Sequence, residues 1–392
     1  MHVYLAIDVG TAGGRHVAAW LEDGRIMTRE LYRFPNGAKM KNGPLCWDIA
    51  ALEAHVVAGL KAAHTQGFTP VSIGIDAWAS DFVLLDAAGQ LLGDAVACRD
   101  DYTHDMDALL EESLPLVFHY GLCGVAQRPS NTVYQLMALL REHPEYAETA
   151  EDFLLIPEYL AYALTGVKAH EWTGISASAL CNAATGTWSE TILTAAGLPE
   201  KWFRTPIRQP GRLLGRFRPE IAAETGFDAP VLLVATHDAA SASMAIPAQK
   251  EDTAFLFTGA PHLLGTELPV PVLSSAALAG GFSNEGGYGH STRFLKPVAE
   301  PACCPDALRE MSSLTGKSFS GIHLLGDDTG DATLNQHIAD ATGLPVYAGP
   351  APSAALGNLA AQMIADGAFG DLAAFRAALP ESFEIQTYWP KG

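Results

Sequence analysis

Two aspartates follow apolar runs that are typical of buried strands. Asp8 follows residues 3–7 and precedes a glycine-rich stretch, and Asp238 follows the apolar residues 231–235 and precedes residues 239–243, where we predict a helix. A carboxylate at the end of a buried strand lies at the edge of a sheet, where it can act as a base or hold a metal and phosphate groups. The alternative for Asp238 is that its side chain only caps the helix. Together the two aspartates predict a base and a metal-phosphate centre.

The elements around Asp8 follow the order of a ribonuclease-H-like unit. From apolar periods and turn residues we predict strand 3–9, a glycine-rich turn 10–14, strands 16–22 and 25–34, helix 49–63, and strands 71–77 and 82–85. Asp23-Gly24 is a hairpin signal between the second and third strands. The turn is not a Walker A loop, because no Gly-Lys-Ser/Thr follows. It is not a dinucleotide fingerprint either, because it opens a hairpin and not a helix.

The rest of the chain predicts a largely helical middle and a second α/β unit. Residues 105–225 are mixed, with helices predicted from Asn131 onward and over residues 158–165. After Asp238 the pattern predicts strands 253–258, 262–267, 322–325 and 345–348 and helices 334–342 and 353–365. A chain of 392 residues exceeds what one core usually supports. We therefore place a boundary near Pro247 and predict two lobes, residues 1–246 and 247–392, that face each other across a cleft.

The composition excludes several classes of partner. The chain is 48% hydrophobic and 17% charged, as in a well-packed globular protein, and its net charge is −20. A nucleic-acid or anionic-membrane partner is not expected, because the surface field repels polyanions. A small phosphate-bearing ligand remains possible, since backbone N–H groups and a few cations can bind it locally.

The cysteines and the apolar segments indicate a reduced compartment. The six cysteines show neither a C-x-x-C spacing nor a paired His motif, so we expect no zinc site and no disulfide framework. The sequence enters a strand without a basic segment or an apolar leader, and it contains no run of about 18 uncharged apolar residues. We therefore expect a cytoplasmic protein with no membrane span.

Five segments resemble, in order, the motifs of the FGGY family of carbohydrate kinases. They are Asp8-x-Gly10-Thr11, residues 72–86, Arg99-Asp100, Asn131-Thr-Val-Tyr-Gln135 and Thr236-His237-Asp238. Each is weak alone, but five in the family's order over the first ~245 residues make a specific match for a whole lobe. The second lobe carries weaker matches in residues 334–340 and 349–358. Within the family the segments are most similar to the branch that phosphorylates L-rhamnulose.

The resemblance implies an α/β fold of two ribonuclease-H-like, actin-like ATPase lobes around a central cleft that binds a sugar and ATP. It implies that Asp238 is the general base for the C1 hydroxyl of a ketose, with L-rhamnulose the preferred substrate and L-fuculose and other ketoses close competitors. Asp8 is then expected to hold Mg²⁺ through water. The residues expected to border the sugar are Trp78, Ala79, Asp81, Arg99 and His237. Those expected against ATP and its phosphates are Gly10, Thr11, Ala12, Gly13, Gly14, Arg15, Gly259, Ala260 and Gly326.

Several of these residues have a structural alternative that the sequence leaves open. His237 could be a packed imidazole that touches no ligand, and Trp78 could belong to the core. Arg99 could form an ion pair with Asp100 or another nearby acid. Asn131 and Gln135 lie one helical turn apart, and both could only cap and pack.

Four departures from the family pattern all fall in the second lobe. Roughly 90 residues, a domain-sized part, are missing between residues 294–297 and 322–326. Ala260 replaces a Thr expected near the phosphates, which removes a hydrogen bond often worth ~1.5–3 kcal/mol. Asp327 and Asp328 follow Gly326 where the family has a Gly-Gly-Gly turn, so negative charge faces the nucleotide. Pro297 stands where an Asn is common.

These departures leave two classes of function open. The first is a working ketose kinase, which the retention of Asp8 and Asp238 favours. The second is a catalytically impaired relative that binds a sugar or sugar phosphate as a sensor or subunit, which Ala260 and the Gly-Asp-Asp turn favour. The shortened second lobe is also expected to expose apolar surface that self-association covers, so we expect a homo-oligomer.

Overall fold

The structure, a computed structural model, describes residues 2–247, 252–259, 261–300 and 303–391, and at Asp328 the backbone alone. The strands before Pro247 form one large sheet and four small ones, and the strands after it form a single sheet. The N-terminal lobe below refers to the first set and the C-terminal lobe to the second. Ala260, expected near the phosphates, lies outside the described residues.

The N-terminal lobe contains sixteen strands and ten α-helices among the described residues. The strands are β1 (Val3–Val9), β2 (Gly13–Glu22), β3 (Arg25–Pro35), β4 (Lys39–Met40), β5 (Leu45–Trp47), β6 (Pro70–Ala77), β7 (Phe82–Asp86), β8 (Leu91–Leu92), β9 (Ala95–Val96), β10 (Ala150–Leu155), β11 (His170–Glu171), β12 (Cys181–Asn182), β13 (Thr187–Trp188), β14 (Ile207–Arg208), β15 (Arg212–Arg216) and β16 (Pro230–Leu233). The helices are α1 (Ile49–Thr65), α2 (Met106–Ser113), α3 (Leu116–Cys123), α4 (Thr132–Glu142), α5 (Tyr146–Thr149), α6 (Ile156–Thr165), α7 (Trp172–Ile175), α8 (Glu190–Ala195), α9 (Pro219–Thr225) and α10 (Asp238–Met244). The main sheet has the order β15-β16-β6-β1-β2-β3.

The C-terminal lobe contains seven strands and five α-helices among the described residues. The strands are β17 (Thr253–Phe257), β18 (His262–Leu268), β19 (Ser283–Gly286), β20 (Thr292–Val298), β21 (Gly321–Leu325), β22 (Val346–Ala348) and β23 (Gln386–Tyr388). The helices are α11 (Ser275–Ala279), α12 (Cys304–Thr315), α13 (Ala332–Thr342), α14 (Ser353–Ala365) and α15 (Leu372–Ser382). All seven strands form one sheet of order β19-β20-β18-β17-β21-β22-β23.

Successive side chains of β1 point into two different hydrophobic cores, which explains why its sequence is an unbroken apolar run. Val3, Leu5 and Ile7 pack into the core beneath α1, whereas Tyr4 and Ala6 pack into a second core that includes α14. A central strand buried on both faces needs apolar side chains at nearly every position. Asp8 has the parity of Tyr4 and Ala6, so its side chain lies on the face toward α14, where the two lobes meet.

The two lobes touch through the helices α10 and α14. A Cβ added at Gly357 in α14 would lie 1.6 Å from the carbonyl oxygen of Ser241 in α10. Only glycine permits this approach of the two backbones. Beside it a buried polar chain joins α14 to the first sheet: Ser72 donates to Gln362 at 2.7 Å, and Gln362 donates to Asn358 at 2.7 Å. The chain ends where Asn358 donates to Asp76 at 2.6 Å.

The structure adds detail to three local expectations. Strand β2 begins at Gly13 and not at residue 16, so the turn is confined to residues 10–12. The N-cap of α10 is His237, and Asp238 is the first helical residue, whose side chain accepts from the Ala239 N–H of the first turn. Strand β7 lies outside the main sheet and pairs with β10 and β8. No helix among the described residues is long and apolar enough to cross a membrane.

The shortened region of the C-terminal lobe does not expose the apolar surface that we expected. The exposed large apolar side chains among the described residues are Leu21, Met27, Met40, Leu91, Leu109, Val117, Phe118, Leu213, Val270 and Trp389. None of them lies between β20 and α13. Helix α12 covers the sheet there with Cys304, Leu308 and Met311. The expected surface is therefore absent from the described residues of this region, and self-association stays a prediction without that reason.

Candidate active site

A cleft of about 830 Å³ opens between the two lobes at the ends of β1 and β21. Every predicted site residue that the structure describes lines it. These residues are Asp8, Gly10, Thr11, Ala12, Gly13, Gly14, Arg15, Trp78, Ala79, Asp81, Arg99, His237, Asp238, Gly259 and Gly326. Residues that are 318 positions apart in the chain are thus brought to one site, while their roles remain predictions.

Asp8 stands between a cation and a second carboxylate because of the strand register. Its partner in β2 is Arg15 and its partner in β6 is Asp76. Arg15 Nε lies 3.2 Å from Asp8 Oδ2. Burial raises the pKa of Asp8 to about 7 although Arg15 opposes this, and the negative charges of Asp238 and Asp327 raise it further. The site therefore favours a cation beside Asp8.

Asp76 belongs to this acidic centre, and our sequence analysis did not select it. It is fully buried, its Oδ1 accepts from Asn358, and its Oδ2 has no hydrogen-bond partner among the described residues. Burial and the neighbouring Asp8 raise its pKa well above the usual value. The signal that could have found it is the register of the parallel pair β1 and β6, which places two strand-end aspartates side by side.

The turn after Asp8 is held in a fixed shape. Gly10 N–H donates to the Gly13 carbonyl at 2.8 Å, and Asn36 Nδ2 donates to the Gly10 carbonyl at 2.9 Å. The turn thus faces the cleft next to Asp8 and Arg15. Backbone N–H groups in such a turn and a nearby guanidinium suit an anionic group such as phosphate.

Asp238 is held by one of its two carboxylate oxygens. Its Oδ1 accepts from the Ala239 N–H at 2.6 Å and lies 3.5 Å from His237 Nε2. Oδ2 has no hydrogen bond or ion pair among the described residues, and the side chain is 21% exposed. Burial raises the pKa of Asp238, while His237 and the Ala239 N–H lower it. This carboxylate can therefore accept a proton from a group bound in the cleft.

The segment that carries Asp238 is anchored by a buried glutamate. Glu171 Oε2 accepts from the Thr236 N–H at 2.9 Å and from the Thr236 hydroxyl at 2.8 Å. The Ala77 N–H donates to the Thr236 carbonyl at 2.9 Å, so the segment continues the line of β16 beside β6. These bonds explain why the apolar run extends beyond the last residue of β16. They fix the position of the segment that carries Asp238.

An ion cluster from the C-terminal lobe lies behind His237. Arg293 Nη2 lies 3.0 Å from Glu285 Oε2 and 3.2 Å from His237 Nδ1. Burial alone would raise the pKa of Glu285, but His237, Arg293 and Arg128 together lower it to about 2. Arg128 and Glu285 both line the cleft. No motif in the sequence marks Arg128, Glu285 or Arg293, since they are isolated charges in strands and loops.

Two tryptophans form an aromatic wall that a buried aspartate orients. The rings of Trp47 and Trp78 lie 4.2 Å apart, and their indole N–H groups donate to Asp81 Oδ2 at 2.6 and 2.9 Å. Asp81 Oδ1 accepts from the Cys98 N–H at 2.8 Å. Three donors thus occupy the Asp81 carboxylate, which is fully buried. Asp81 therefore orients the indole rings that face the cleft.

The loop between Trp78 and Asp81 is strained and held by α4. Ser80 has φ 79°, a left-handed conformation that is uncommon for a residue with a side chain. Its carbonyl accepts from the Thr132 hydroxyl at 3.0 Å and from Gln135 Nε2 at 3.1 Å. Gln135 therefore holds the loop that forms a wall of the cleft, so its role is not limited to packing.

Two of the open alternatives are resolved by contacts. Arg99 does not pair with Asp100: its Nη2 donates to the Thr11 hydroxyl at 3.4 Å, while Asp100 Oδ2 accepts from the Leu45 N–H at 2.6 Å. Asn131 is the N-cap residue of α4, but its side chain accepts from the Arg128 N–H at 2.7 Å and not from α4. Arg99 thus joins the glycine turn to the opposite wall.

The C-terminal lobe places a carboxylate beside Arg15 in the cleft. Asp327 forms an ion pair with Arg15, which also pairs with Asp8. The preceding Gly326 has φ 113°, and an added Cβ would lie 2.4 Å from the Thr258 hydroxyl. Glycine is therefore required at this position, while the carboxylate that follows it ties the two lobes together. The side chain of Asp328 is not described.

No group of three or more His, Cys, Asp or Glu side chains in the described ranges has the geometry of a metal cage. A divalent ion carried by a nucleotide needs fewer protein ligands, because Mg²⁺ keeps much of its water. Asp8, with its raised pKa and its acidic neighbour Asp76, fits such an ion.

Comparison with known proteins assigns the chain to a family. The model of the N-terminal domain of the FGGY family of carbohydrate kinases matches residues 3–245. A rhamnulokinase of Halalkalibacterium halodurans is 32% identical over 467 aligned residues, which cover 99% of each protein. One of Bacillus subtilis is 30% identical and covers 99% of this chain and 96% of the relative. Both alignments run over more positions than the 392 residues of this chain, so the relatives contain segments without a counterpart here.

Solved structures support the same fold. A xylulose kinase of Lactobacillus acidophilus superposes with a TM-score of 0.83 at 15% identity, covering 100% of this chain and 94% of the other. A Plasmodium falciparum glycerol kinase solved with ADP gives a TM-score of 0.81 at 13% identity, with the same coverage. The two-lobe, actin-like architecture expected from the sequence is therefore confirmed. The match of the N-terminal domain and the full-length similarity to the rhamnulokinases show that this chain belongs to the FGGY family of carbohydrate kinases.

Proposed function

We propose that this protein transfers the γ-phosphate of ATP to the C1 hydroxyl of a ketose, with Asp238 as the general base. The observation that carries the proposal is the carboxylate of Asp238, whose Oδ1 is anchored by the Ala239 N–H and whose side chain lines the cleft. Oδ2 accepts the hydroxyl proton as the sugar oxygen attacks the γ-phosphorus. Phosphoryl transfer requires mainly alignment and charge neutralisation, so one carboxylate in reach of the hydroxyl suffices as base.

The phosphate side of the reaction is assigned to Asp8, Arg15 and the glycine turn. The turn and Arg15 face the cleft beside Asp8, and they bind the β- and γ-phosphates. Asp8 would hold Mg²⁺, which would neutralise part of the phosphate charge. The raised pKa of Asp8 supports this assignment, because a cation relieves the repulsion among Asp8, Asp238 and Asp327.

L-Rhamnulose is the preferred substrate, and L-fuculose is the first competitor. The support for L-rhamnulose is the similarity to curated rhamnulokinases over nearly the whole chain. The aromatic wall of Trp47 and Trp78 offers apolar surface to a C–H face of the sugar, and Arg128, Asn131 and Glu285 offer polar groups on the same cleft. An apolar wall with few polar groups is the usual make-up of a sugar site.

A second candidate function is a sugar-binding relative without kinase activity. The observation that favours it is the ion pair between Asp327 and Arg15, which places a carboxylate on the cation that is assigned to the phosphates. Pro297, which lines the sugar cleft in place of an Asn, adds to it. The ion pair weakens the ground for ATP binding and leaves the tryptophan wall intact.

Isothermal titration calorimetry of Mg·ATP, with and without L-rhamnulose, separates the two candidates. The kinase proposal expects micromolar nucleotide binding that strengthens with sugar and is lost in Asp8→Ala. A coupled assay of ADP release then shows turnover that Asp238→Asn abolishes while sugar binding persists. Heat from the sugar alone, with none from the nucleotide at millimolar concentration, would refute the kinase and support the sugar-binding relative.

A further inference from the structure

Glu285 and Arg293 belong to the C-terminal lobe, but they contact His237 of the N-terminal lobe, the neighbour of the proposed general base Asp238. The two residues face each other across β19 and β20 as register partners. Arg293 is fully buried and donates through Nε to the Gly286 carbonyl at 3.0 Å and through Nη2 to Glu285 Oε2 at 3.0 Å. The same Nη2 lies 3.2 Å from His237 Nδ1. The imidazole next to Asp238 is therefore in contact with a fixed guanidinium.

This contact determines which ring nitrogen of His237 carries the proton. Arginine has only donors, so a hydrogen bond from Nη2 requires that Nδ1 accepts and is unprotonated. A neutral imidazole then carries its proton on Nε2. Glu285 Oε2 lies 3.4 Å from Nδ1, farther than Arg293 Nη2, and it already accepts from Arg293. A proton placed on Nδ1 would point toward Glu285 but would lie against the N–H of Arg293.

The proton on Nε2 is directed at the base. His237 Nε2 lies 3.5 Å from Asp238 Oδ1, the oxygen that also accepts from the Ala239 N–H. The Ala239 N–H hydrogen-bonds to Oδ1 and His237 Nε2 lies near the same oxygen, which leaves Oδ2 without a hydrogen-bond partner among the described residues. A His237 that is already protonated at Nε2 cannot take a further proton from Asp238, so its part is to orient the carboxylate.

We propose that Arg293 is a positioning residue that acts from the C-terminal lobe through His237 on Asp238. It holds His237 as the neutral tautomer whose Nε2–H fixes the carboxylate, and this rests on the proposed function of Asp238 as the general base. The charged groups that face His237 from the packed elements are Asp238, Glu285, Arg293 and, behind Thr236 and Thr173, Glu171. The base is thus oriented only when β19 and β20 lie against α10, which couples catalytic competence to the assembly of both lobes.

The tautomer of His237 is measured directly in the unmodified protein. Two-bond ¹H–¹⁵N correlation spectra of ¹⁵N-histidine-labelled protein distinguish the two neutral tautomers and the imidazolium, and His237→Gln identifies the signal. The proposal expects the Nε2–H tautomer at neutral pH. A signal of the Nδ1–H tautomer or of the imidazolium overturns it. This readout does not need kinase activity, so it remains decisive if no ADP release is found.

Two substitutions of His237 test the same point in the reaction. A Gln side chain offers one acceptor and one donor at about the spacing of the two ring nitrogens and cannot become a cation, whereas Asn is one methylene too short to reach both partners. We expect both variants to lower kcat, His237→Gln by about threefold and His237→Asn by about tenfold, because only Gln keeps a donor and an acceptor for the two partners. Equal kcat values for the two variants overturn the proposal.

Arg293→Met tests the source of the orientation, with Arg216→Met as the matched control. Arg216 forms a surface ion pair with Asp228 far from the cleft. We expect Arg293→Met to remove the Nε2–H tautomer signal and to lower kcat about tenfold, whereas Arg216→Met changes neither. If Arg293→Met does not fold, the spectrum of the unmodified protein and the Gln and Asn pair still decide. A folded Arg293→Met protein with an unchanged tautomer and kcat contradicts the proposal.

Discussion

At the scale of single residues, the acidic centre is set by three neighbouring strands. Arg15, Asp8 and Asp76 lie side by side on β2, β1 and β6 because they are register partners. Negative charge is in excess here, because the single guanidinium of Arg15 lies near two buried carboxylates and also forms an ion pair with Asp327. A site with such an excess of negative charge is poised to bind a cation.

The raised pKa of Asp8 predicts a pH dependence of stability. Its pKa is about 7 in the folded protein against 3.8 ordinarily, so between these values the folded state binds more protons than the unfolded chain. Stability from this group is therefore lost as the pH rises from about 4 to 7. At pH 8 we expect Asp8→Asn to have a higher melting temperature than the unchanged protein, because its free energy of unfolding is larger by on the order of 1–2 kcal/mol. At pH 4 we expect the two proteins to melt at the same temperature. Melting curves of both proteins without ligand test this, and a constant difference across the pH range would contradict it.

The ion pair of Asp327 with Arg15 predicts a gain of nucleotide affinity by substitution. Asp327→Gly frees Arg15 and removes a negative charge next to the proposed phosphate site. Because the Asp327 side chain is 59% exposed, solvent screens it and the gain is modest, about three- to tenfold in the Kd of Mg·ATP. Calorimetry measures the Kd. Asp306→Gly, which removes a surface carboxylate paired with Arg309, is the control and leaves Kd unchanged. Weaker binding by Asp327→Gly would show that the pair supports the site.

At the scale of elements, the contact of α10 with α14 predicts a strong effect of one methyl group. A Cβ at Gly357 would overlap the Ser241 carbonyl, so Gly357→Ala must push the two helices apart. We expect a loss of about 3 kcal/mol or more in the free energy of unfolding. Gly121→Ala is the matched control: this glycine of α3 has open space around its Cβ, and alanine in a helix gains about 0.5–1 kcal/mol. Denaturant unfolding of both variants measures the difference, and equal midpoints would contradict the tight crossing.

Elements whose pattern is local were predicted well, and elements defined by distant partners were not. Helix α14 has the bounds predicted from its period, and the first three strands follow in the predicted order. The sequence predicted strand β7 but not the sheet to which it belongs, because the hydrophobic period of a strand does not identify its partner strands. Likewise, Asp8 and Asp238 follow a visible strand-end pattern, but Glu285 and Arg293 reach the site only through the pairing of β19 with β20. No local signal in the sequence shows that contact.

At the scale of the whole molecule, the shortened C-terminal lobe still buries its own hydrophobic core. Helix α12 packs Cys304, Leu308 and Met311 onto the seven-stranded sheet. The net charge of −20 opposes self-association at low salt. The homo-oligomer remains a prediction for light scattering at low micromolar concentration. The reason for it must be sought elsewhere than in the region between β20 and α13.

The cleft also predicts coupling between its two ligands. The sugar side is built mainly from the N-terminal lobe, but Glu285 and Pro297 of the C-terminal lobe border it, and Arg15 joins Asp8 to Asp327 across the cleft. A sugar that draws the lobes together therefore completes the nucleotide site. We expect L-rhamnulose to lower the Kd of Mg·ATP at least fivefold, about 1 kcal/mol of coupling, and Mg·ATP to lower the Kd of the sugar by the same factor.

Calorimetric titrations in both orders, on Asp238→Asn so that no turnover disturbs the heats, measure the two factors. The thermodynamic cycle requires them to agree, so their common value is the test. A factor near one would mean that the two ligands bind independently. The lobes would then form two separate sites, and the Arg15 bridge would hold the cleft closed whether or not a sugar is bound.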